Sequence, residues 1–102
     1  MLTIIEDRIT EIITLCKSHR VVSIALFGSA AKGLMHANSD VDFLVQFSED
    51  IDVLDYADNY FDLLDGLEKM LGKKVDLISI KSLKNQILID DIEHSKVVLY
   101  AA

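Results

Sequence analysis

Two carboxylates one residue apart, Asp40 and Asp42, lead an apolar run that continues Phe43-Leu44-Val45. Twelve residues ahead of Asp40 stands a Gly28-Ser29 pair, and a third acid, Asp76, lies near the start of a later run, Val75-Asp76-Leu77-Ile78. Alternate residues of a strand face the same way, so Asp40 and Asp42 are expected side by side. If the two strands are neighbours, Asp76 comes within reach of the pair. Three acids held that close cannot all stay ionised without a counter-charge. Magnesium supplies one, because it takes hard oxygen ligands and commonly joins carboxylates to substrate phosphates. Two such ions, roughly 3.5–4 Å apart, stabilise both the attacking and the leaving oxygens of a phosphoryl displacement.

The Gly28-Ser29 turn would complete such a site. Glycine permits close backbone approach, and the Ser29 amide and hydroxyl are suited to terminal phosphate oxygens. Residues 29–34 read as a short helix whose first amides attract anions. Lys32, one helical turn on, would add a point charge. Each feature alone is common. Their order is restrictive: strand, turn, fixed offset, strand, and a later strand acid. His36, in the loop over 34–39, reads either as a nucleotide contact or as a solvated loop residue. His19 and His94 have no partners at metal-ligand spacing. Cys16, the sole cysteine, cannot form an internal disulfide, and its place on an apolar stripe predicts a packing role.

The elements that must position these groups follow from periodicity. Ile5, Ile9, Ile12 and Cys16 recur at helical spacing, which predicts a helix over 2–18. Residues 21–27 form a β-branched apolar run, read as a strand buried on both faces. A second strand is expected over 40–47, with Val41, Phe43, Val45 and Phe47 on one face and Asp40, Asp42, Leu44 and Gln46 on the other. A helix over 52–71 places Leu63, Leu64, Leu67 and Leu71 inward with Tyr56 and Tyr60, opposite Asp55, Asp58, Asp62 and Asp65. Gly72 suits its C-terminus. The third strand spans 74–80. Ser82 is expected to cap a last helix through 93, with Leu83, Ile87 and Ile92 inward. Residues 97–100 read as an edge strand or an extended tail.

The chain of 102 residues is expected to form one domain over 1–102, and 51% hydrophobic with 26% charged residues fits a globular protein. No apolar run reaches the ~18–20 residues of a membrane span. The N-terminus lacks a signal-peptide core, so a cytoplasmic location is expected. A formal charge of −7 excludes a nonspecific nucleic-acid binder, which needs a basic footprint. Between Glu49 and Glu68 there are eight acids and no Lys or Arg. Such a stripe is either a solvated face or a docking surface for a basic partner.

Gly28-Ser29, Ala31, Gly33, Ser39-Asp40-Val41-Asp42-Phe43-Leu44-Val45 and Val75-Asp76-Leu77 resemble the signature of the DNA polymerase beta-like nucleotidyltransferase superfamily. The short chain is similar to its minimal branch, whose members are typically paired with helical HEPN proteins. The resemblance implies an α/β (α+β) fold, a small mixed sheet flanked by helices in the manner of the polymerase beta palm. It further implies ATP as donor and two Mg2+ ions held by Asp40, Asp42 and Asp76. Asp42 would bridge the ions, Asp76 would help deprotonate an acceptor hydroxyl, and Gly28 and Ser29 would hold the β- and γ-phosphates. The implied reaction is protein adenylylation, with AMP placed on a tyrosine of a HEPN toxin that this chain neutralises as antitoxin. Two positions depart from the pattern: Ala30 where many members carry Arg or an aromatic residue, and Lys32 where they carry Arg. Losing a planar guanidinium weakens phosphate recognition. Two other readings therefore stand beside this one. One is a noncatalytic nucleotide-binding module that acts by docking. The other is adenylylation of a small hydroxylated molecule, in a pocket that a homodimer could complete.

Overall fold

The computed structural model describes residues 3–28 and 40–102. Helices α1 (Thr3–Asp7) and α2 (Ile9–Ser18) precede strand β1 (Val21–Leu26). Strand β2 (Val41–Phe47), helix α3 (Val53–Leu71) and strand β3 (Val75–Ser79) follow. A 3-10 turn (Ile80–Ser82), helix α4 (Gln86–Ser95) and strand β4 (Val97–Ala101) complete the described chain. The sheet runs β3-β2-β1-β4. β1 pairs antiparallel with β2 and with β4, whereas β2 and β3 are parallel. This is the expected mixed sheet flanked by helices.

The parallel pair requires a crossover, and α3 supplies it. Asp52 caps its start by accepting from the Asp55 amide at 2.9 Å. Gly72 ends it in the left-handed region at φ 65°, as the sequence predicts. Leu63, Leu67 and Leu71 are buried and Asp55, Asp58, Asp62 and Asp65 are exposed, so the predicted division of faces holds.

The main core lies between one sheet face and α1–α3. Ile5, Ile12, Cys16, Ile24, Leu26, Val41, Phe43, Val45, Leu63 and Leu67 pack there in a single cluster. Truncating a fully buried residue such as Phe43 to alanine would cost about 3–5 kcal/mol. Burial along β2 explains how the strand serves two masters. Its four odd-numbered residues fill the core, while Leu44 is buried on the opposite face, where it lines a hollow with Ile80, Leu83, Ile89 and Ile92.

Three expectations are corrected, and one alternative left open by the sequence is settled. The first helix is broken at Arg8, whose φ of −112° and ψ of 9° leave the helical basin. Ser82 does not cap the last helix: its hydroxyl donates to the Ser79 carbonyl at 2.8 Å, closing the end of β3. Asn85 is the cap instead, accepting from the amides of Ile87 and Leu88. With Ile92 as the buried anchor, Ile87 lies about 140° away around the helix. It is 83% exposed and not inward. Residues 97–101 form the edge-strand alternative, hydrogen-bonded to β1.

Candidate functional site

Pairing direction, which no local pattern encodes, assembles the site. β1 is antiparallel to β2, so the end of β1 meets the start of β2. Leu26 stands opposite Phe43, and the Phe27 amide donates to the Asp42 carbonyl at 3.1 Å. β3 is parallel to β2, so both strands start at that same end, with Asp42 and Asp76 as register partners. An antiparallel β3 would have put its first residues at the far end of the sheet.

Gly28 lies directly against Asp42. A Cβ built on Gly28 would come 2.5 Å from Asp42 Oδ2, and the glycine holds a left-handed φ of +64°. Both facts require the absence of a side chain. The glycine and the second acid of the sequence pattern, fourteen residues apart, are thus in contact distance of one another.

Asp42 is half-buried, whereas Asp40 and Asp76 are exposed. The Asp42 carboxyl is held above the usual carboxylate range by burial first, then by the charges of Asp76 and Asp40. Asp42 therefore lies within electrostatic reach of both Asp76 and Asp40. Asp40 sits one residue ahead of β2, not inside it. Among the described residues no three such groups are spaced to enclose a metal ion as they stand. Ser29, Lys32 and His36, with the short helix and loop expected over 29–39, lie outside the described residues.

A neighbour not anticipated as part of the site is Tyr60, expected only as lining of the helix interior. Its hydroxyl donates to the Leu77 carbonyl at 2.5 Å, on the outer edge of β3. Burial, then the Asp76 and Tyr56 groups, push its phenol upward. Tyr56 and Tyr60 are one helical turn apart, with ring centroids at 6.4 Å. That i,i+4 aromatic pair was the available signal, but helical spacing alone cannot tell core lining from the wall of a groove. Cys16 is buried, as expected, and burial pushes its thiol up to about 12. No helix among the described residues is long and apolar enough to cross a membrane.

This geometry agrees with comparisons to known proteins. Residues 9–99 match the nucleotidyltransferase domain family. A candidate protein adenylyltransferase of Methanocaldococcus jannaschii, MJ1379, is 44% identical over 77 residues, covering 74% of this chain and 73% of the relative. Protein adenylyltransferase MntA of Thermococcus cleftensis is 40% identical over 67 residues, covering 66% of this chain and 64% of the relative. Among solved structures, a candidate minimal nucleotidyltransferase superposes with a TM-score of 0.74 at 32% identity, over 91% of this chain and 90% of the other. A toxin-antitoxin complex with AMP-PNP superposes with a TM-score of 0.71 at 26% identity, over 92% and 73%. The convergence of Gly28, Asp42 and Asp76 at one end of a mixed sheet, together with these matches, shows that the chain belongs to the nucleotidyltransferase domain family as one of its minimal members.

Proposed function

We propose that this nucleotidyltransferase moves AMP from ATP to a hydroxyl of a partner protein, a tyrosine of a HEPN-type toxin, and serves as the antitoxin of that pair. The observation that carries the reading is the register of Asp42 with Asp76, closed on the other side by Gly28. Support for the partner comes from the solved relatives that are toxin-antitoxin complexes, and for the donor from the AMP-PNP bound in one of them. Support for the protein acceptor comes from the adenylyltransferase relatives.

The donor chemistry of these residues suits magnesium, for which the three carboxylates would have to draw together. The residues offer carboxylate oxygens only, and Asp42 already carries an unfavourable charge that a cation would relieve. Asp40, Asp42 and Asp76 would hold the ions, which supply charge stabilisation to the phosphates. Gly28, Ser29 and Lys32 would hold the phosphate tail. The acceptor oxygen attacks the α-phosphorus, the bond from that phosphorus to its bridging oxygen breaks, and pyrophosphate leaves. The hydroxyl proton passes to the Asp76 carboxylate, which is exposed and free to return it to solvent.

The test is transfer of α-labelled AMP to a cognate HEPN-type protein. Asp42→Asn and Asp76→Asn should each lower transfer by at least about a hundredfold, with the fold retained by circular dichroism. Full transfer by either variant refutes its assigned role. MgATP binding without pyrophosphate release, with the partner present, would support the noncatalytic docking reading instead.

A further inference from the structure

Along the outer edge of β3, the α3 residues Tyr56, Tyr60 and Phe61 stand over Asp76, Ile78 and Ser82 around an open groove of about 480 Å³. Across Tyr56 and Ser82 it continues into a second hollow of about 360 Å³, reaching Ile51, Val53 and Lys81. Asp76 thus faces two ways, toward Asp42 across the sheet and into a groove leading away from it. One lip of that groove is an apolar ridge. Val53, Ala57 and Phe61 recur every fourth residue of α3, and Val53, Leu54 and Phe61 are 83%, 79% and 65% exposed. Asp55, Asp58 and Asp62, all exposed, border the ridge.

We propose that this groove and ridge dock the segment of the partner protein that carries the acceptor hydroxyl. Its chemistry would be an apolar or aromatic anchor flanked by basic residues. The proposal rests on the transfer reading above and adds where the acceptor lies. Three observations select this occupant. A second copy of the chain is disfavoured, since a two-fold pairing through α3 would set Asp55, Asp58 and Asp62 against their own counterparts. The protein's net charge of −7 adds to that repulsion. An added β-strand is disfavoured because three of the outward backbone groups of β3 are already engaged by side chains. Glu68 accepts from the Val75 amide, Tyr60 donates to the Leu77 carbonyl and Ser82 donates to the Ser79 carbonyl. A small acceptor would fill the hollow beside Asp76 but leave the ridge and the second hollow uncovered. A protein segment with complementary charge covers all three. Rigid aromatic side chains beside an acidic rim are what such a segment anchors on.

The experiment measures affinity of this chain for a purified cognate HEPN-type protein, by calorimetry without nucleotide. Transfer kinetics are measured in parallel. Phe61→Glu should weaken binding at least about tenfold. Asp58→Lys combined with Asp62→Lys should weaken it too, and raised salt should weaken the wild type more than that double variant. Ile87→Glu, at a still more exposed apolar site on α4, should leave binding unchanged. In the transfer assay Phe61→Glu should raise acceptor KM about tenfold with kcat and MgATP affinity retained. Unchanged binding and KM in Phe61→Glu would overturn the docking surface and leave the transfer reading standing. Loss of binding in Phe61→Glu with no transfer by the wild type would overturn the acceptor assignment and the catalytic reading together. A wild-type homodimer that Phe61→Glu dissociates, or labelling of small hydroxylated compounds alone, would also overturn the proposal.

Discussion

Gly28→Ala separates the two reasons a glycine is needed beside Asp42. The first is backbone strain. Alanine at φ +64° pays about 1–2 kcal/mol for the left-handed conformation, partly offset by a stiffer unfolded chain. The net loss of about 1 kcal/mol should lower Tm by about 4–8 °C in a protein of this size. The second is contact. The new methyl would lie 2.5 Å from Asp42 Oδ2, where carbon and oxygen need nearly 1 Å more, so the carboxylate must move. A displacement of that size at a reacting centre costs on the order of a hundredfold in rate. Gly72→Ala is the control, with the same left-handed φ of +65° and nothing within 4 Å of the new Cβ. Both variants should melt at similar, lowered temperatures, while only Gly28→Ala loses AMP transfer and Mg2+-dependent ATP binding. Thermal melts and labelled transfer, run well below both melting temperatures, read the two effects apart. Equal transfer by the two variants would show that Gly28 does not set the position of the Asp42 carboxylate.

Two further predictions concern the ionisable groups. Asp42 has its folded pKa raised above the unfolded value of roughly 4, so its protonated form favours the fold. That contribution is complete below about pH 4 and is lost as pH rises through the higher folded value. At pH 7 without metal, Asp42→Asn should therefore melt above the wild type and gain less from added Mg2+; a lower melting temperature would refute the sign. Cys16, buried with its thiol pushed up to about 12, should react with a thiol reagent at pH 8 at least about a thousandfold slower in the folded than in the unfolded chain. Comparable labelling of the two states would place it at the surface.

The elements legible in the sequence were those whose periodicity coincides with burial. β1 carries β-branched residues, β2 alternates, and α3 keeps leucines at 63, 67 and 71 opposite aspartates at 55, 58, 62 and 65. The errors fall at boundaries, where one hydrogen bond decides. Ser82 and Asn85 are both good capping residues, and Ser82 loses because its hydroxyl is spent on the Ser79 carbonyl. The break at Arg8 interrupts an otherwise unbroken apolar stripe, so periodicity runs through it. Ile87 followed from a helix start set three residues early. For the candidate site, the acids and Gly28 could be named from spacing. Their meeting could not, because strand direction is a tertiary property. Tyr60 went unnoticed for the same reason, since its partner Leu77 is seventeen residues away on another element.

Helix α3 explains why so much of this small fold converges on one edge. As the crossover, it makes β2 and β3 parallel and so brings Asp42 and Asp76 to one end. It lies antiparallel beside the strand that follows it, and two of its side chains, Tyr60 and Glu68, engage backbone groups on the open hydrogen-bonding edge of β3. Engaging those groups weakens a template for uncontrolled strand pairing. It leaves an aromatic groove beside Asp76 where a backbone edge would otherwise stand. The same helix keeps its acids outward because Leu63, Leu67 and Leu71 commit the opposite face to the core. Acid placement, edge protection and the shape of the groove are consequences of one amphipathic helix laid along one strand. A partner that reads this edge by aromatic contact and charge is therefore reading the same element that holds the two strand acids in register.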